Sequence, residues 1–170
     1  MKNDYRAILS QIVTDNVREV LVSGIENGLR LYNEIDSVNR SVLGDYASNV
    51  ENRTLFSCLC RELEQACNAS ASNINAHSEK RTSSVFVEIV TDNMLLHLRN
   101  YGTELPQYAK DKLEEMNGTI SPDKKNYIQL CYLAENGQLL TKVSIFLKDA
   151  DGKTLNSEPL VGTWCQASVA

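Results

Sequence analysis

Ile8, Leu9, Ile12, Val13, Val17, Val20 and Leu21 recur at intervals of three and four residues, the spacing that gathers side chains on one face of a helix. Asn3 or Asp4 precedes them as a cap, and Gly24 is placed to end or bend the helix. GIENGLRLYNEI allows a second short helix, which Gly28 weakens by about 1 kcal/mol of lost propensity. Residues 36–51 carry no readable period. After Thr54, a cap, Leu55, Phe56, Leu59, Leu63, Ala66 and Cys67 trace another helical face.

The pattern then changes. NASASNINAHSEKRTSS, residues 68–84, has almost no large apolar side chain and predicts a solvated connection, or alternatively a lid or a segment that orders on a partner. SVFVEIVTDNMLLHLRNYG alternates as strands do, with Asp92-Asn93 as a two-residue turn that sets Thr91 opposite Met94. Val85, Val87 and Ile89 then share one face with Leu96 and Leu98, while Phe86, Glu88 and Val90 share the other with Leu95, His97 and Arg99. A competing reading makes residues 93–101 a short helix capped by Gly102. ELPQYAKDKLEEMNG predicts a helix crossing the sheet, with Pro106 in its first turn, an apolar set of Leu105, Tyr108, Leu113 and Met116, and Gly118 as its stop.

In KKNYIQLCYLAENGQLLTKVSIFLKD, Asn136-Gly137 is the preferred type I′ turn. Read literally, it pairs Ile128 with Ile145, Leu130 with Val143 and Tyr132 with Thr141 on the core face, and Tyr127 with Phe146, Gln129 with Ser144 and Cys131 with Lys142 on the other. Asp151-Gly152 suggests a further turn and a returning strand at 153–156, with an irregular end from Gly162 around the lone Trp164. The whole reads as an α+β chain: a helical half (1–67), a Ser/Asn/Ala-rich connection (68–84) and an antiparallel half (85–170) in the order ββαβββ, integrated as one domain.

Composition narrows the function classes. At 170 residues the chain can bury a core without covalent staples, so its five cysteines are not needed for stability. Seventeen Lys and Arg against 22 Asp and Glu leave a net charge of -5, which disfavours nonspecific nucleic-acid binding without forbidding a local basic patch. MKNDYRAILSQIV lacks the apolar core of a signal peptide, and no run approaches the roughly 20 residues of a membrane span. A cytoplasmic, reducing location follows as the expectation, and the Asn-x-Ser/Thr triplets at Asn39, Asn52, Asn68 and Asn117 then carry no sugar.

Two constellations carry candidate chemistry. Tyr127, Lys142, Phe146 and Lys148 mix aromatic and cationic groups on the second face of the last hairpin, as partner-binding and single-strand-binding sheets do. That face is otherwise the wet side of a sheet or is covered by the amino-terminal helices, and no aromatic RNA-binding signature accompanies it. Glu88, His97 and Arg99 form the second set: a carboxylate to hold an imidazole for acid-base work and a guanidinium to clamp a phosphate, or an ordinary cross-strand contact worth under ~1 kcal/mol.

Other chemistries lack residues. Cys58, Cys60 and Cys67 do not have zinc-knuckle spacing and read as structural, and with only His77 and His97 a three-histidine metal site is excluded. No phosphate loop or nucleophile elbow occurs. Asp149 and Asp151 resemble the start of a calcium loop, but its twelfth position would fall on Leu160. A magnesium nuclease would find Glu88 without the lysine that should follow it. The expectation is therefore a small non-enzymatic protein, without cofactor or metal, that acts by surface contact. It would be an inhibitor or adaptor of a larger protein or ribonucleoprotein, of the compact kind that mobile elements encode. The alternatives are a phosphoester hydrolase or nuclease using Glu88, His97 and Arg99, and a homodimer built on the first helix.

Overall fold

The computed structural model describes residues 4–81, 84–101, 105–116, 120–135 and 138–165, the side chains at 135 and 138–141 excepted. The first helix, α1 (Tyr5–Ile12), is capped by Asp4, whose side chain accepts from the Ala7 amide at 3.1 Å. It stops at Val13, and Thr14 caps a new helix, α2 (Asp15–Leu43), through the Val17 amide. The break expected at Gly24 therefore lies eleven residues earlier, and α2 runs unbroken through both Gly24 and Gly28. Both glycines serve packing, because a Cβ at Gly24 would meet Leu63 at 2.8 Å and one at Gly28 would meet Leu59 at 2.9 Å. These contacts lie on α3 (Glu51–Ala69), which a short 3-10 helix (Gly44–Asn49) joins to α2. Thus 36–51, unreadable in sequence, is helical, and Thr54 lies inside α3 with its hydroxyl donating to the Val50 carbonyl.

The connection expected over 68–84 contains a strand, β1 (Asn75–Arg81). Asn68 explains how the chain enters it: its amide nitrogen donates to the Ala76 carbonyl and its oxygen accepts from the Ala76 amide, both at 2.9 Å. That side chain satisfies both backbone groups of Ala76. Strands β2 (Ser84–Thr91) and β3 (Met94–Asn100) form the predicted hairpin with Thr91 opposite Met94, so the helical reading of 93–101 is overturned. The next helix, α4 (Gln107–Glu115), follows Pro106 and packs on the sheet through Ala109 and Leu113, against Leu95 and Tyr127. The Gly118 stop lies outside the described residues.

Six strands run side by side in chain order, completed by β4 (Asn126–Glu135), β5 (Gln138–Lys148) and β6 (Thr154–Pro159). The order is βββαβββ, one strand more than expected. Because α4 returns the chain to its starting end, β3 and β4 pair in parallel and the sheet is mixed rather than antiparallel. Asn126 anchors that return: its buried side-chain nitrogen lies 3.1, 2.7 and 2.6 Å from the carbonyls of Asn93, Ser121 and Lys124. Asn126→Ala is expected to cost about 2 kcal/mol by removing the donor these carbonyls share and the acceptor of the Ser121 amide, read as a lower urea midpoint; an unchanged midpoint would show that the loop holds itself.

The Asn136-Gly137 turn lies outside the described residues, but Glu135 pairs with Gln138 as that turn requires. Beyond it an irregularity between Leu133 and Glu135 moves the register by two, so Leu130 faces Ile145, Tyr132 faces Val143, Gln129 faces Phe146 and Tyr127 faces Lys148. A shift of two exchanges partners but keeps every residue on its expected face. The last turn uses Asp149, whose Oδ1 accepts from the Asp151 and Lys153 amides at 2.9 and 2.8 Å, with Gly152 at φ 79°. Turn chemistry thus accounts for the DADG aspartates.

The helices α1–α3 cover one sheet face, where Val87, Ile89, Leu96, Leu98, Ile128, Leu130, Ile145 and Leu147 join Leu21, Ile25, Leu59, Leu63 and the buried Trp164 in one core. The opposite face carries α4, which packs there against Val90, Leu95 and Tyr127 of β2, β3 and β4. Among the described residues no helix is long and apolar enough to cross a membrane.

Candidate functional site

Under α4, strand register sets a row of polar groups across the sheet. His77 lies opposite Glu88, Glu88 opposite His97, and His97 beside Gln129. The side chains connect: His97 Nε2 is 2.8 Å from Glu88 Oε2, His97 Nδ1 is 3.0 Å from Tyr127 Oη, and Gln129 Nε2 donates to that same oxygen at 3.5 Å. The hydrogen bond from His97 holds the Glu88 carboxyl below its ordinary pKa, opposed by partial burial. Burial drives the Tyr127 phenol the other way, so it keeps its proton. The ionised Glu88 carboxylate accepts from Nε2–H, and the Tyr127 hydroxyl meets the ring at Nδ1.

The expected pairing of Glu88 with His97 is therefore present, but it is a core contact. His97 is 0% exposed and Tyr127 1%, closed in by Phe86 and Tyr108, whose rings stack at 4.1 Å and each lie edge-on to the imidazole. Arg99 shares this face and donates to the Tyr108 hydroxyl at 3.5 Å. The arrangement holds the Glu88 carboxylate inside the fold. It gives a substrate no open face on His97.

The second predicted set is divided. Tyr127 lies buried beneath α4 and cannot contribute to a docking face. Lys142 is exposed, Phe146 and Lys148 are half-buried, and both cations are engaged within the sheet: Lys142 Nζ lies 5.3 Å from the Tyr101 ring, and Lys148 Nζ lies 5.3 Å from the Phe146 ring while donating to Thr154 at 2.7 Å. An aromatic with a cation on its face is already partnered.

A different surface is open. Burial along α2 ends at Tyr32, and from Asn33 to Tyr46 every residue but the half-buried Asp36 and Asn39 is exposed. Ile35, Val38, Val42, Leu43, Tyr46 and Val50 all meet solvent there, with Val42 at 75% and Tyr46 at 73%. Arg40 braces the tip by bridging Asp36 at 2.8 Å and Glu51 at 3.2 Å. The 29 residues of α2 span about 43 Å at 1.5 Å per residue, so the hairpin of α2 and α3 outreaches the core it packs on. No family model, curated protein or solved structure matches this chain.

The remaining candidates are inert or new. Cys58 and Cys67 are buried on α3, and burial pushes the thiols of Cys60 and Cys67 up to about 12, far from the thiolate that metal binding or nucleophilic attack needs. His77 and Glu79 went unassigned in the sequence because 68–84 read as a loop. The alternation His77-Ser78-Glu79, which puts both on one face of a strand, was the signal available.

Proposed function

We propose that this protein is a binding protein that docks through the projecting tip of the α2–α3 hairpin, into an apolar groove with a basic rim on a larger partner protein. The observation that carries the reading is the contiguous exposure of Ile35, Val38, Val42 and Tyr46 on a braced helical end. Single exposed apolar residues are ordinary, whereas a contiguous patch on a rigid element is characteristic of an interface. Charge selects the partner. Residues 34–53 carry Glu34, Asp36, Asp45 and Glu51 against Arg40 and Arg53, so two copies would repel, RNA would be repelled, and a basic rim would be attracted. This keeps the expectation of an inhibitor or adaptor and moves its surface from the sheet to the helical tip.

Val42→Asp and Tyr46→Asp are expected to abolish stoichiometric capture of one host protein by the tagged chain while leaving its thermal midpoint unchanged, since neither side chain is buried. Light scattering on the purified chain should give a monomer. A dimer that the same substitutions dissociate would make a second copy the occupant and overturn the reading, as would capture that survives both substitutions.

A further inference from the structure

The polar row ends at the sheet edge, where two carboxylates face one imidazole. His77 Nε2 lies 3.2 Å from Glu79 Oε1 and 3.4 Å from Glu88 Oε1. One ring nitrogen carries one proton at most and can satisfy only one of these oxygens. Glu88 cannot turn away, because its other oxygen is committed to His97, which Tyr127 holds from behind. Two carboxylates thus converge on one nitrogen, and all three ligand atoms lie within 4.8 Å of one another.

Two of the three ligand separations suit a metal polyhedron. Ligands at about 2.0–2.1 Å from a tetrahedral zinc ion stand roughly 3.3 Å apart, against 3.2 and 3.4 Å here. We propose that His77, Glu79 and Glu88 form a binding site for one divalent ion of the zinc type, with its fourth position open to water. An imidazole in the set favours a borderline transition ion over magnesium or calcium, which prefer all-oxygen shells. The backbone prepares the site: His77 and Glu88 are direct cross-strand partners, and Glu79 is two residues along β1 on the same face. Behind the ligands, the His97–Tyr127 pair orients the Glu88 carboxylate as outer partners orient metal ligands. Lys112 on α4 adds positive charge near Glu88, while its Nζ lies 3.5 Å from Glu115. The site is separate from the helical tip and does not depend on it.

Isothermal titration of the whole untagged chain with Zn2+ tests this. One equivalent should bind at micromolar concentration and Mg2+ should not compete. Co2+ in place of Zn2+ should show the intense visible absorption of tetrahedral coordination. His77→Ala and Glu79→Gln, both at solvent-facing positions, should each weaken binding by about 100-fold or more. Tyr127→Phe, which touches no ligand atom, should weaken it by about tenfold through the outer shell. Failure of the intact chain to bind Zn2+ would overturn the site, and so would binding that persists in both His77→Ala and Glu79→Gln. Should His77→Ala lose its folded spectrum, Glu79→Gln alone decides on the same criterion.

Discussion

His97→Ala is expected to lower the unfolding free energy by about 3–5 kcal/mol, the cost of leaving a buried charge without its partner. The imidazole is wholly enclosed, and it is the only group holding Glu88 Oε2 at hydrogen-bond distance among the described contacts. Its removal opens a space lined by Phe86 and Tyr108 beside the carboxylate and takes away the imidazole partner of the Tyr127 hydroxyl. Glu88→Gln keeps the shape and removes the charge, so its cost should be smaller. The pair also sets an acid limb. Because the folded pKa of Glu88 lies below its ordinary value of 4.5, its stabilisation is fully present above that value and is lost as pH falls through the folded one. Urea denaturation from pH 7 down to pH 3, with a chelator present, should show Glu88→Gln losing less stability on acidification than the wild type. Parallel acid limbs would mean that Glu88 is not ionised in the fold.

Gly28→Val should cost about 3 kcal/mol, near the upper end of overpacking in a close-packed interior. The first carbon added would already stand 2.9 Å from the Leu59 Cα and 3.2 Å from the Cys58 carbonyl oxygen. Backbone cannot swing aside as a side-chain end can, so α2 and α3 would have to separate and open the core around Leu59 and Leu63. Gly28→Ala provides the discriminating control. Helix propensity alone would make it about 1 kcal/mol more stable, whereas the crossing predicts a net loss. A raised urea midpoint in Gly28→Ala would show that the helices are free to part.

How much of this was legible depends on the range of each interaction. The β2–β3 hairpin follows from alternation and a two-residue turn, both local, and its register places Glu88 opposite His97 as expected. β1 was missed because it is an edge strand with Ala76 as its one buried side chain, held by Asn68 and by β2 rather than by its own pattern. The β4–β5 register went astray because a local irregularity follows a correctly placed turn, and nothing in the intervening composition marks it. Gly24 and Gly28 read as helix breakers, since a sequence shows their weak propensity but not the neighbour that requires them.

The candidate sites divide in the same way. Period-two alternation places Glu88 with His97 on one face of the first hairpin and Tyr127 with Gln129 on one face of the last, while the parallel pairing of β3 with β4 joins the two into one row. Alternation does not set which face is wet, because α4 returns across one side of the sheet and buries Tyr127 and His97 there. By itself the sequence determined an α+β chain, its helical amino-terminal part, its central hairpin and which residues share a face within each hairpin, all set by interactions within a few residues. Tertiary structure alone decided the parallel β3–β4 pairing, the meeting of His77 and Glu79 with Glu88, and the exposure of the hairpin tip. Each of these depends on where distant segments stop covering one another, and no local spacing encodes that limit.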